Sequence, residues 1–99
     1  MSEAEKVFLG VSTFRLGTDK EAALKPLEEA AEVFGAWQTY GFFWGQGCKE
    51  LDNWFRAELA DEIADCVTAC VNLAVRYGID LQEAIDRVEQ SNRVRGRYK

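Results

Sequence analysis

Residues 52–77 of the chain read DNWFRAELADEIADCVTACVNLAVRY, and their apolar side chains recur at intervals of three and four. That spacing places the apolar side chains on one face of an α-helix, so we expect a central helix from about Asp52 to Tyr77. Gly78 follows directly and predicts the end of this helix, because glycine readily adopts the left-handed conformation common at that position. The predicted buried face comprises Leu59, Ile63, Cys66, Val67, Cys70, Leu73, Ala74 and Tyr77.

A second long helix is predicted upstream of the central one. Thr18 and Glu21 have the spacing of a capping box, which opens a helix, and the apolar period then continues to about Tyr40. Pro26 falls inside this helix, where proline removes a hydrogen bond and clashes with the preceding turn, so we expect a kink or a fresh helix there. The apolar positions are Leu24, Leu27, Ala31, Phe34 and Trp37.

The remaining segments are shorter. Asp80 and Glu83 form another capping box and predict a helix that ends near Asn92. Residues 41–47 hold three glycines and predict the loop between the two long helices. Residues 7–14 are ambiguous between strand and helix, and we favour helix because no other segment is a partner for a strand.

The fold class that follows is all-α. We expect one domain over residues 1–99, built as a small bundle of about four helices. A chain of this size buries only about 60 to 70% of the surface that it exposes when unfolded, so we expect homo-oligomer packing to complete the bundle.

Composition excludes several classes of function. The chain is 47% hydrophobic and 29% charged, which is typical of a folded domain. Its 12 basic and 17 acidic residues give a net charge of -5, which argues against nucleic-acid binding. The sequence has neither a basic leader nor a long uncharged apolar stretch, so we expect no signal peptide, no membrane span and a cytoplasmic location.

Histidine is absent, which removes the Ser-His and Cys-His nucleophilic systems and the commonest transition-metal ligand. The three cysteines are odd in number and lack CxxC spacing, which fits neither a disulfide framework nor a zinc site. We interpret Cys66 and Cys70 as small core residues.

Two acidic clusters lie on the long helices, Glu28, Glu29 and Glu32 on one and Glu62 with Asp65 on the other, and 29 residues lie between Glu32 and Glu62. Residues three or four apart are neighbours on a helix, so each cluster offers a pair of carboxylates. If the helices pack antiparallel, the pairs converge, and such oxygen ligands favour Mg²⁺ or Mn²⁺. The alternative is a solvated acidic face, which is common on helices.

Four segments, in this order, resemble the MazG-like all-α nucleoside triphosphate pyrophosphohydrolases. They are residues 27–32 (LEEAAE), 59–65 (LADEIAD), 77–85 (YGIDLQEAI) and 92–98 (NRVRGRY). The resemblance implies a Mg²⁺-dependent cleavage of a nucleoside triphosphate to its monophosphate and pyrophosphate.

The resemblance also implies roles for individual residues. Metal binding and catalysis map onto Glu29, Glu32, Glu62 and Asp65, with one glutamate also accepting the proton of the attacking water. Glu28 matches an acid that orients a ligand or water. Contacts with the substrate map onto Asn92, Arg93, Arg95 and Arg97.

Several alternatives stay open. Lys25 binds phosphate or pairs with Glu29 at i+4, and the pairing is favoured. The three C-terminal arginines are a phosphate clamp or a solvated tail. Among the aromatic residues of the glycine-rich region, Tyr40, Phe43 and Trp44 are candidates to stack on a base.

Three interpretations of the whole protein compete. The first is the pyrophosphohydrolase, acting as a homodimer or homotetramer. The second is a non-catalytic helical interaction module. The third is a hydrolase of the same superfamily that acts on phosphoribosyl-ATP or on dUTP or dCTP.

Overall fold

A computed structural model describes residues 8–13 and 17–98. Three α-helices follow one another along the chain, and a short 3-10 turn, Phe8–Gly10, precedes them. The all-α prediction is confirmed for the described residues, with three α-helices where about four were expected. The helices are α1 (Asp19–Phe43), α2 (Lys49–Arg76) and α3 (Leu81–Val94).

The chain divides into two compact units. One unit comprises the described residues 17–70, which hold α1 and most of α2. The other comprises the described residues 8–13 and 71–98, which hold the end of α2 and all of α3. None of the described helices has the length and apolar character needed to cross a membrane.

The predicted capping box opens α1. The Glu21 backbone N–H donates to Thr18 Oγ1 at 3.1 Å, and the Thr18 N–H donates to Glu21 Oε1 at 2.7 Å. These bonds satisfy backbone groups that a helix start leaves unpaired. From this start α1 runs as one helix through Pro26, so the fresh helix suggested for that position does not form.

The glycine-rich loop is shorter than predicted. α1 continues to Phe43, which makes Gly41 helical, and the Trp44 N–H closes the last turn on the Tyr40 carbonyl at 2.8 Å. The aromatic side chains of this region explain the extension, because the Phe43 ring stacks on that of Phe55 in α2 at 4.9 Å. The turn between the helices is residues 44–48.

Within the first unit α1 and α2 form an antiparallel hairpin. The Phe43 and Phe55 rings are in contact near the turn. Farther from it, the Cys66 thiol donates to the Pro26 carbonyl over 3.9 Å. Early positions of α1 therefore lie beside late positions of α2. This antiparallel arrangement is the one that lets the two acidic clusters converge.

The buried face of α2 differs in part from the prediction. Leu59, Cys66 and Leu73 are partly buried, and Ala74 is buried. The prediction was wrong for the other four positions, which are exposed on the single chain, and the cysteines are therefore not both core residues. These four are Ile63, Val67, Cys70 and Tyr77.

The end of α2 and the start of α3 follow the prediction. Gly78 adopts a left-handed φ of 64°, and the Ile79 N–H bonds to the Ala74 carbonyl at 2.9 Å. Asp80 caps α3 by accepting the Glu83 N–H at 3.1 Å.

The helix predicted for residues 7–14 is wrong for half of the described part, residues 11–13. Only the three residues of the 3-10 turn are helical, because Leu9 and Gly10 take left-handed φ values of 61° and 73° that an α-helix does not accommodate. Val7 and Phe14, like residues 1–6, lie outside the described residues.

Candidate metal centre

Three of the predicted metal ligands converge in the hairpin. Glu29 and Glu32 come from α1 and Glu62 from α2, and a carboxylate oxygen of each lies within 4.8 Å of the others. Glu29 and Glu32 are three residues apart, so the helical period turns both toward α2. The antiparallel pairing of the helices then brings Glu62 opposite them.

These carboxyl groups differ in their exposure to water. The Glu29 side chain is only 10% exposed, whereas Glu32 is exposed and Glu62 is partly buried. Oε1 of Glu62 is shielded from solvent and has no hydrogen-bond partner. A buried carboxylate oxygen without a partner is costly, and either a cation or a proton would offset that cost.

The surroundings of Glu62 favour its protonated form. Desolvation raises the pKa of the Glu62 carboxyl group above its usual value, and the neighbouring Glu32 carboxylate raises it further. The charges of Asp65 and Glu29 act in the same direction. A divalent cation would reverse this balance, because it favours the ionised form of every carboxylate that it binds.

The chemistry of the donor set fits Mg²⁺ or Mn²⁺. The converging side chains offer carboxylate oxygens alone, which are the ligands that hard cations prefer. The cluster contains neither sulfur nor imidazole, the ligands that favour softer metals.

Lys25 supplies part of the compensating charge. Its Nζ lies 3.2 Å from Glu29 Oε2 and 3.9 Å from Glu28 Oε1. The hydrogen bond and the charge of Glu29 raise the pKa of Lys25, which keeps the ammonium protonated. Lys25 is therefore engaged with the cluster from one turn upstream, while Glu32 and Glu62 are not among its ion-pair partners.

Asp65 does not join the converging oxygens. It is exposed on α2, one turn after Glu62, and its charge contributes to the raised pKa of Glu62. The structure thus gathers three of the four predicted metal ligands and leaves Asp65 beside them.

The predicted substrate contacts at the C-terminus belong to the other compact unit. The Asn92 amide donates to the Tyr98 hydroxyl at 3.1 Å, and that hydroxyl donates to Glu89 Oε2 at 2.8 Å. Arg93 lies 4.0 Å from Glu89, whereas Arg95 and Arg97 follow the end of α3 and are exposed. A contact of these residues with substrate stays a prediction.

Sequence reasoning missed an open pocket beside the cluster. The pocket has a volume of about 370 Å³ and shares Glu32 and Glu62 with the carboxylate cluster. A signal for it exists in the sequence, because its other residues continue the two acidic faces at intervals of three and four. They are Gly35, Ala36 and Thr39 on α1, and Trp54, Phe55 and Glu58 on α2.

The aromatic residues proposed to stack on a base are engaged elsewhere. Tyr40 and Trp44 stack on each other with ring centroids 5.0 Å apart. Phe43 stacks on Phe55. None of the three lines the pocket, and Trp54 does.

No family model matches the chain, and comparison with curated proteins and with solved structures also finds no match.

Proposed function

We propose that the protein is a Mg²⁺-dependent nucleoside triphosphate pyrophosphohydrolase of the MazG-like kind. Water attacks the α-phosphorus, the bond from that phosphorus to the bridging oxygen breaks, and the products are the nucleoside monophosphate and pyrophosphate. The sequence resemblance supplies the reaction, and the geometry of the acidic cluster supports a metal-dependent version of it.

One observation carries the proposal. Glu29, Glu32 and Glu62 come from two helices, and their oxygens converge within 4.8 Å although like charges repel. Lys25 pairs with the Glu29 end of the group, while Glu62 keeps a shielded oxygen without a partner. A solvated acidic face leaves that oxygen without a partner, whereas a bound cation, or a proton on Glu62, would satisfy it.

The residues of the chain have distinct tasks in this mechanism. Glu29, Glu32 and Glu62 would hold Mg²⁺, and Lys25 fixes the position of the Glu29 carboxylate. A bound Mg²⁺ would supply charge neutralisation at the phosphates and would make the attacking water more acidic. A carboxylate of the cluster accepts the proton of the attacking water.

We also propose that the chain assembles into a homodimer or a homotetramer. The face of α1 opposite the acidic cluster carries Leu27, Phe34 and Trp37, which are 67%, 57% and 55% exposed. They are spaced seven and three residues apart, so they form one apolar stripe, and the Phe34 and Trp37 rings stack at 5.7 Å. Contiguous apolar surface of this kind marks an interaction site, and a second copy of the chain would cover it.

The test is an assay with a panel of nucleoside and deoxynucleoside triphosphates, including dUTP and dCTP, and with phosphoribosyl-ATP. Each is incubated with Mg²⁺ while monophosphate and pyrophosphate are measured. We expect turnover that EDTA abolishes and that Glu32→Gln lowers by at least about 100-fold, since even residues that support a metal ligand are worth about 10- to 100-fold. Glu50→Gln is the matched control, because Glu50 is exposed on α2 and is not part of the cluster.

Two outcomes would contradict the proposal. Absence of turnover across the panel, together with absence of Mg²⁺ binding by calorimetry, would favour the interaction module, which the apolar stripe of α1 also supports. Equal turnover in Glu32→Gln and the unaltered protein would exclude the carboxylate cluster as the metal site.

A further inference from the structure

The open pocket continues from the acidic cluster along the groove between α1 and α2. Its volume, about 370 Å³, falls within the range of pockets that bind small molecules. Because it shares Glu32 and Glu62 with the cluster, it offers room beside the metal centre for the part of a nucleotide that is not phosphate.

One wall of the pocket is an aromatic surface held in place. The Trp54 side chain is 55% exposed, so a large part of its indole ring is available to a ligand. The Phe55 ring contacts it edge to face at 4.8 Å and in turn stacks on Phe43. An exposed indole ring supported by a second ring is a stacking surface for a flat heterocycle, since every nucleobase has a π-face.

The opposite wall is built from residues without bulk. Gly35 and Ala36 line the pocket on α1, and a Cβ atom added to Gly35 would have no neighbour within 4 Å. The space in front of Gly35 is therefore open, and a large side chain at that position would occupy part of the pocket.

The polar groups of the pocket are almost all hydrogen-bond acceptors. Glu58 is acceptor-only when ionised, and the Thr39 hydroxyl donates its proton to the Gly35 carbonyl at 3.2 Å, which leaves its oxygen to accept. The shared Glu32 adds further carboxylate oxygens, and Glu62 does so when ionised. Among the lining side chains, only the Trp54 indole N–H is a permanent donor. The edge of a complementary ligand must therefore be rich in N–H groups.

We propose that this pocket binds the nucleobase of the substrate, stacked on Trp54, and that Glu58 selects bases that carry an exocyclic amino group. The inference rests on the proposed function for its choice of ligand. Guanine, cytosine and adenine offer an amino group to the Glu58 carboxylate, and guanine adds an adjacent ring N–H. Uracil and thymine present a carbonyl oxygen there, which the carboxylate repels, and hypoxanthine lacks the amino group of guanine.

Binding of nucleosides tests the pocket without the metal and the phosphates. Equilibrium dialysis would compare guanosine with inosine, and cytidine with uridine, because the members of each pair differ at the amino group. A hydrogen bond to a charged group changes the binding affinity by about 10- to 100-fold, so we expect the amino member of each pair to bind more tightly by that factor. Equal binding within both pairs would overturn the proposal.

Two pairs of variants test which residues cause the discrimination and where the nucleosides bind. Glu58→Gln should remove the discrimination, because an amide both donates and accepts, while Glu50→Gln on the same helix should retain it. Gly35→Leu should weaken all nucleosides by filling the pocket, and Gly41→Leu, on the same helix but outside the pocket, should not. Unchanged discrimination in a folded Glu58→Gln protein would exclude Glu58 as the selective group.

The nucleoside data and the turnover assay separate this inference from the proposed function. Turnover with equal kcat/KM for GTP and ITP, and for CTP and UTP, would leave the hydrolase standing and overturn the base selection. Selective binding of amino-bearing nucleosides without any turnover would support the base selection and overturn the hydrolase.

Discussion

The carboxyl group of Glu62 on α2 faces that of Glu32 on α1, and both side chains also line the open pocket. Two acids that repel each other thus lie where the carboxylate cluster meets the open pocket. Their proximity makes the stability of the metal-free protein sensitive to anything that neutralises them, whether a proton, a cation or a substitution.

The stability of the metal-free protein should depend on the protonation of Glu62. Its pKa in the folded chain is raised above the ordinary value of 4.5, so the folded state takes up this proton at a higher pH than the unfolded chain. Stability should therefore increase as the pH falls from neutral through the folded pKa, and the gain should be lost as the pH rises again. Thermal unfolding in EDTA at several pH values measures this.

The matched variant for the pH experiment is Glu62→Gln, which carries no titrating group. We expect its Tm near neutral pH to exceed that of the unaltered protein, and the difference to shrink toward about pH 4.5, the ordinary value for glutamic acid. A lower Tm in Glu62→Gln at neutral pH would instead indicate that Glu62 forms a structural ion pair.

Binding of Mg²⁺ should raise the Tm of the folded protein. A ligand that binds only the folded state stabilises it by about 2.7 kcal/mol at 100 times its Kd. This shift should disappear in Glu29→Gln and Glu62→Gln. In Asp65→Asn, Mg²⁺ should still raise the Tm, by less than in the unaltered protein, because Asp65 lies beside the converging group but outside it. Equal loss in Asp65→Asn and Glu62→Gln would place Asp65 among the ligands.

Lys25 should contribute to the stability of the carboxylate cluster and contribute little to substrate binding. Lys25→Met removes the ammonium that lies 3.2 Å from Glu29, so the Tm of the metal-free protein should fall and Mg²⁺ should restore most of it. The KM for the triphosphate should change little. A large increase in KM with an unchanged Tm would identify Lys25 as a phosphate ligand instead.

The apolar stripe of α1 should mediate self-association. Phe34→Glu introduces a charge into the centre of the stripe, and we expect sedimentation velocity to show smaller species than for the unaltered protein. Val94→Glu is the control, because Val94 is equally apolar and 78% exposed on α3 but lies outside the stripe. A monomeric unaltered protein at all concentrations would contradict the assembly.

Two glycine variants test the unexpected length of α1. Gly41 is helical, so Gly41→Ala should stabilise the protein by roughly 0.5 to 1 kcal/mol in urea denaturation. Gly45 has a left-handed φ of 79°, so Gly45→Ala should destabilise it. Destabilisation by Gly41→Ala would show that the loop begins earlier, as the glycine content suggests.

Local signals predicted most of the helical architecture. The capping box at Thr18, the cap at Asp80 and the stop at Gly78 depend on bonds between residues three to five apart, which a sequence displays directly. The second bond of a capping box, from the Asp80 N–H to the Glu83 side chain, is not formed. The spacing of the apolar residues predicted the two long helices, because that spacing can also be read directly from the sequence. The error at Gly41 has a tertiary cause, because the contact of Phe43 with Phe55 joins residues that are distant in the chain.

The sequence by itself determined which carboxylates share a helical face, since spacing fixes the neighbours of Glu29 and Glu32 on α1 and places Asp65 one turn after Glu62. Only the tertiary structure decided which of them meet across the hairpin, because the register of two packed helices depends on side chains all along their contact. That register places Glu62 opposite Glu29 and Glu32, leaves Asp65 outside the group, and opens the pocket between Gly35 and Trp54.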